Sequence, residues 1–172
     1  KIYKGRGYLG VVEDASTTRN FDHLIGYVLS FNPNNLNEPF ITETSFSLNY
    51  RTSTNFSLPT RWRPWTNTWS TIITDLGGAL VNPQVYAQPI ISDIEFDENG
   101  GLNVSIMDRY GHQMGSEQPV PESGNGVLGN GRSVGDLIRF CRVSNNWVIE
   151  GSAGSCTTNT SHSTKDGIGD GI

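Results

Sequence analysis

The sequence predicts an all-β chain built from antiparallel four-stranded meanders, and three observations carry that prediction. Apolar and polar residues alternate with a period of two in successive short segments. No segment holds a 3.6-residue apolar period for more than two turns. Gly, Asn, Asp and Pro punctuate the intervals between the segments, as turns require. At 172 residues the chain has room for one ordinary domain, not two.

In chain order, Tyr8–Glu13 and Leu24–Phe31 read as the first two strands, and Pro39–Leu48 alternates well enough to be a third. Arg61-Trp62-Arg63-Pro64-Trp65-Thr66-Asn67-Thr68-Trp69 follows, dense in Trp and Arg and without a regular period. Ile90–Phe96 is a strand of β-branched and aromatic residues. Strict alternation puts Asp93, Glu95 and Asp97 on one face, Ile94 and Phe96 on the other, and Ile91 opposite those two. Asp97-Glu98-Asn99-Gly100-Gly101 supplies residues tolerant of positive φ, so Leu102–Asp108 returns as the partner of a hairpin. After a long Gly- and Pro-rich loop from Tyr110, Asp136–Val143 and Trp147–Glu150 form a second hairpin around Ser144-Asn145-Asn146. The tail from Gly151 is Ser, Thr, Gly and Asn.

Four strands joined in sequence (90–96, 102–108, 136–143, 147–150) make one meander, and the N-terminal strands make most of another. Repeated meanders are the unit of a β-propeller, of which this chain would hold about two blades; a β-sandwich is the alternative that needs no further blades. On this reading residues 1–88 are the first blade-like unit with the Trp/Arg loop, 89–155 the second, and 156–172 a tail. Apolar residues on both faces of a sheet call for cover on both sides, so the expectation is a chain docked on other polypeptide.

Composition excludes some partners. Charged residues make up 17% of the chain, against about 25% in an average soluble domain. A net charge of −5, with three lysines, gives no means of releasing counterions from a phosphate backbone, which argues against a nucleic-acid partner. No apolar run approaches the roughly 18 residues of a membrane-spanning helix. Poverty in Lys, wealth in Ser, Thr and Asn, and Asn-x-Ser/Thr triplets at Asn55, Asn103 and Asn159 point to an extracellular or cell-surface setting.

Ile91-Ser92-Asp93-Ile94-Glu95-Phe96-Asp97-x-x-Gly100, Met107-Asp108-Arg109-Tyr110-Gly111-His112-Gln113 and Gly135-Asp136-Leu137-Ile138-Arg139 together resemble β-propeller modules of large bacterial surface, adhesin-like proteins, which often sit beside Sdr-type B repeats. Tyr8-Leu9-Gly10-Val11-Val12, Tyr27–Phe31 and Trp62-x-x-Trp65 fit the same pattern, so the resemblance spans residues 8–150. It implies a secreted, structural or adhesive segment of a larger assembly, partnered by the remainder of its own propeller or by further copies. The D-I-x-F-D-x-x-G hairpin recurs in sugar-lactone hydrolases, which keeps a metal-dependent hydrolase of lactonase type as the alternative.

Three groups of residues are candidates for chemistry. Asp93, Glu95, Asp108, Arg109 and His112 form the one polar cluster. Its acids need a guanidinium, for which Arg109 is the candidate and should be buried against at least one of them, or a bound Ca²⁺. Asp97-x-Asn99-x-Gly101 and Asp166-Gly167-x-Gly169-Asp170 read as Ca²⁺-loop fragments or as turns, both lacking the closing bidentate Glu. Trp62, Trp65 and Trp69 form either an aromatic platform for carbohydrate or a core plug with Arg61 and Arg63 in cation–π contact. His23 and His162 are remote from His112, and no Gly-x-Ser-x-Gly elbow or Cys–His pairing is present, so no catalytic nucleophile can be named. Cys141 and Cys156 are either two reduced thiols or a disulfide. Strand 147–150 runs back beside 136–143, which brings residue 156 within bonding reach of 141; closing that loop stabilises by about 3 kcal/mol.

Overall fold

Three hairpins of the computed structural model turn on residues with positive φ, the one between Pro89–Phe96 and Leu102–Asp108 through Gly100 (79°). Lys4 (47°) and Gly5 (77°) reverse the chain between β1 (Ile2–Tyr3) and β2 (Arg6–Val12). Ser144 (46°) and Asn145 (72°) do the same between two later strands. The structure describes residues 1–13, 24–53, 60–65, 86–113, 118–119, 128–129, 134–150 and Cys156. Trp69, the side chain of His112, His23, His162, Asn55, Asn159 and the Asp166–Asp170 run lie outside the described residues.

β1 and β2 join β3 (Ile25–Phe31) and β4 (Ile41–Ser47) in one antiparallel four-stranded sheet, in sequence order. Two short pairs, β5 (Arg51–Ser53) with β6 (Thr60–Arg61) and β9 (Gln118–Pro119) with β10 (Leu128–Gly129), lie in the connections. β7 (Pro89–Phe96), β8 (Leu102–Asp108), β11 (Gly135–Val143) and β12 (Asn146–Ile149) form the second four-stranded sheet, again antiparallel and in order. One helical turn, α1 (Arg109–Gln113), follows β8. The seven strands read from the sequence are present with ends shifted by one or two residues.

The two sheets share one core. Val28 and Phe46 face Ile94, Leu102, Val104, Ile106, Ile138 and Phe140. β8 shows the alternation most cleanly: Leu102, Val104, Ile106 and Asp108 are buried and the residues between them are not. The sheets are not evenly spaced. β2 and β7 make the closest backbone approach between them, where Gly10 sits against Ile91; a Cβ on Gly10 would lie 2.3 Å from Ile91 Cγ2. Rings fill the gap around that contact: Tyr3 and Tyr8 pack on Phe96 at 4.0 and 4.8 Å, and Phe46 of β4 on Phe140 of β11 at 5.6 Å.

One sequence expectation is corrected here. Register slips between Ile91 and Asp93, leaving Ser92 as an extra residue in β7. That bulge turns Ile91 onto the core face with Ile94 and Phe96, so Ile91 is not opposite them. The outer face of the second sheet is consequently polar along β7 and β8, carrying Asp93, Glu95, Asn103 and Ser105. The outer face of the first sheet differs: Leu9, Val11, Ile25, Tyr27, Leu29 and Phe31 share it and all keep partial exposure. Cys141 and Cys156 form a disulfide with Cα atoms 5.5 Å apart, and Cys156 is 1% exposed. Among the described residues no helix is long and apolar enough to cross a membrane.

Candidate functional site

The Trp/Arg segment and the start of α1 meet at one end of the second sheet. Residues 62–65 run beside 86–89: the Arg63 amide donates to the Ala87 carbonyl at 2.9 Å, and Trp65 Nε1 donates to the Pro89 carbonyl at 2.8 Å. Gln88, fully buried, joins the pieces. Its Nε2 donates to the Pro64 carbonyl, its Oε1 accepts from Arg109 Nη1 at 3.2 Å, and its carbonyl accepts the Arg109 amide. An amide side chain can donate and accept at once, which is why it can bind both neighbours without a charge.

Asp108, 1% exposed, sits beside Gln88 on the core side of β8. Its Oδ1 accepts from the amides of Gln88 (2.9 Å) and Tyr110 (3.1 Å), and its Oδ2 from that of Gly111 (3.0 Å). This is N-cap chemistry: the carboxylate takes the first free amides of α1 and anchors the turn to β7. Arg109 lies over the Trp65 ring (4.7 Å) and the Tyr110 ring (5.4 Å). Arg63 stacks likewise on Tyr86 at 4.2 Å.

Asp93, Glu95, Asp108 and Arg109, four of the five residues grouped from the sequence, are therefore distributed differently; the His112 side chain lies outside the described residues. Asp93 and Glu95 point outward from β7: Asp93 Oδ1 accepts the Ile94 amide, and Glu95 pairs with Lys1. Asp108 faces the core, with a sheet between it and the other two acids. Lys1 pairs with Glu95 and Arg139 with Asp97, while Arg109 donates to Gln88 and lies over the aromatic rings. No three His, Cys, Asp or Glu side chains converge as a metal site among the described residues. Asp97 works as a turn residue: Oδ1 accepts the amides of Asn99 and Gly101, and Oδ2 takes Arg139 Nη2 at 2.9 Å. Those amides, with the guanidinium beyond them, hold its carboxyl below the usual 3.8.

Of the two described residues of the aromatic group, Trp62 is wholly buried in the core and Trp65, 38% exposed, reaches solvent. Its N–H is committed to Pro89 and Arg109 covers a ring face, so the arrangement is a stacked Arg–Trp surface.

A second polar group, which sequence reasoning missed, bridges the sheets. Register slips between Val28 and Leu29, making Glu43 the extra residue of β4. The bulge turns its carboxylate inward, where Oε1 accepts from Ser30 Oγ (2.6 Å) and Oε2 from Trp147 Nε1 (3.3 Å) across the gap. Ser30 is fully buried and accepts in turn from Arg6 Nε. Tyr8 packs nearby, and burial together with the Glu43 charge pushes its phenol above the ordinary 10.0. The signal for this group was a lone Glu in a Thr/Ser strand, indistinguishable by pattern from a solvent-facing residue. Comparisons of the chain with family models, with curated proteins and with solved structures return no match.

Proposed function

We propose that the chain is a structural or adhesive segment of an extracellular β-propeller, part of a larger bacterial surface protein or assembly. The observation that carries this reading is the uneven spacing of the sheets, closest where glycine meets isoleucine at β2/β7 and held apart by Phe46 of β4 against Phe140 of β11. Propeller blades converge on an axis in this way, with early strands close and late strands apart, whereas sandwich sheets keep a spacing near 10 Å throughout. The half-exposed apolar outer face of the first sheet supports the same reading, since a neighbouring blade would cover it. A disulfide suits an oxidising compartment.

The partner on this reading is more propeller: the rest of the same protein or further copies. The measurement is native mass with urea unfolding of the 172-residue chain. Self-association, or failure to unfold cooperatively alone, is expected. A monodisperse 18.9 kDa monomer with a cooperative transition would replace the propeller by a self-contained sandwich.

A further inference from the structure

Asn-Gly is the dipeptide most open to reaction with itself, because glycine sets no side chain beside the nitrogen that must reach the asparagine amide carbon. The sequence contains it three times, at Asn99-Gly100, Asn125-Gly126 and Asn130-Gly131. The first lies in the turn between β7 and β8, where the fold controls it. Asn99 is exposed, so its side chain is open to water. The Gly100 amide donates to the Asp97 carbonyl at 3.0 Å, which makes 97–100 a β-turn with Asn99 in third place. Within that turn Gly100 alone has positive φ, at 79°, which leaves type I for Glu98 and Asn99 and the left-handed position for Gly100.

That conformation withholds the reaction in two ways. Ring closure needs the Gly100 nitrogen in one plane with the Asn99 carbonyl carbon, Cα, Cβ and Cγ. In the third residue of a type I turn ψ is about 0°, which swings the following nitrogen well out of that plane. The nitrogen must also give up its proton, and the Asp97 carbonyl holds it. The side chain of Asp97 keeps the turn in this state: Oδ1 accepts the amides of Asn99 (2.9 Å) and Gly101 (2.6 Å), and Oδ2 takes Arg139 Nη2.

We propose that Asn99 is a self-modification site, converted to isoaspartate only when the β7–β8 turn opens, and that the converted turn cannot reclose. In the opened turn the Gly100 nitrogen bonds to Asn99 Cγ, the Cγ–Nδ2 bond breaks, and the nitrogen's proton leaves with the amide group as ammonia. Water then splits the cyclic imide. Attack at Cγ gives aspartate; attack at the main-chain carbonyl carbon gives isoaspartate, whose chain runs on through Cγ and leaves the α-carboxylate free. The second product lengthens the turn by one backbone atom and adds a charge beside Asp97 and Glu98. A hairpin whose register is fixed by its loop length cannot then return both the Gly100 and Gly101 amides to Asp97. The added like charge opposes closure further. The proposal needs the hairpin alone, so its failure leaves the propeller reading standing and the reverse holds too.

The test incubates the 172-residue chain in mildly alkaline water labelled with oxygen-18, folded and in concentrated guanidinium chloride, and follows the three Asn-Gly sites by peptide mass spectrometry. Labelled aspartate and isoaspartate are expected at all three in denaturant. Conversion at Asn99 is expected to be at least tenfold slower in the folded chain. Asp97→Ala removes the acceptor of the Asn99 and Gly101 amides and is expected to raise the folded rate at least fivefold, with near-ultraviolet dichroism checking its fold. Should that variant not fold, the folded and denatured rates of the unsubstituted chain still decide. Chain isolated with isoaspartate at position 99 is expected to lose exchange protection at the Gly100 and Gly101 amides. A folded rate within tenfold of the denatured one, or no conversion in denaturant, overturns the proposal. So does a folded Asp97→Ala chain that reacts no faster, or protection kept at residues 100 and 101 after conversion.

Discussion

Where β2 meets β7 the sheets nearly touch, and where β4 faces β12 they part, although both edges belong to the same pair of meanders. The first contact is made by the absence of a side chain: Gly10 leaves room for Ile91, and the flanking edge is guarded by charge, proline and a bulge. The second is held by Phe46 on Phe140 and by the half-buried Trp147–Glu43 bond across the gap. The sheets therefore approach most closely where Gly10 meets Ile91, with Tyr3, Tyr8 and Phe96 packed on one side of that contact and Phe46 and Phe140 on the other.

The most damaging way to break this asymmetry is to empty the wide edge. Phe140 is 1% exposed and touches Phe46 across the gap, so Phe140→Ala should cost about 3–5 kcal/mol in urea unfolding. A loss below about 1 kcal/mol would mean that the rings do not prop the sheets apart. Reduction of Cys141–Cys156 releases a link beside β12, where Cys141 lies opposite Val148; closing a loop of 15 residues is worth about 3 kcal/mol in the chain-entropy model. It should lower the midpoint while leaving Trp147 fluorescence of the folded state unchanged. A changed spectrum would show that the disulfide shapes the wedge itself.

Filling the narrow edge should do the opposite of emptying the wide one. Gly10→Ala places a Cβ inside the Ile91 side chain, a cost of about 1–3 kcal/mol from overpacking. Combined with Ile91→Ala, the Gly10 penalty should shrink, giving a non-additivity of about 1 kcal/mol or more. Additive effects would show that Gly10 matters for its backbone and not for the approach of the sheets.

The wedge was not legible in the sequence, although its strands were. Period-two alternation in Leu102–Asp108 and Leu24–Phe31 survives folding intact, because each strand lies flat against one core. The faces of β7 were misread because a bulge shifts parity by one residue, and Ser92 has no composition that announces it. Glu43 was passed over for the same reason. In the candidate site, Asp108 was grouped with Asp93 and Glu95 by charge alone. Its place immediately before a helical turn was the available clue to a cap, and Gln88, which joins three segments, offered none beyond its neutrality. Trp62 and Trp65 look alike in sequence; only packing separates the buried ring from the exposed one.

The smallest predicted effect distinguishes the two edges by acid. Asp97 closes the β7–β8 turn on the narrow side and ties it to Arg139 of β11. Its carboxyl is held below 3.8, first by the Gly101 amide and then by the guanidinium. The folded state therefore binds this proton less readily than the unfolded chain does. Between the two titrations the unfolded state carries more protons, so the contribution is complete above about pH 4 and is lost as pH falls through the folded value. Asp97→Asn keeps an oxygen for the turn amides but removes the charge, and should cost up to about 1 kcal/mol at neutral pH, as a partly exposed pair does. Unfolding measured from pH 7 down to pH 2 should show the two proteins converging at the acid end. Hydrogen exchange should place the early acid-induced loosening at residues 97–102 on the narrow side, with the Phe46–Phe140 contact still protected. Parallel curves with a constant gap would assign the loss to packing of the turn, and the charge of Asp97 would then have no part in holding the narrow edge.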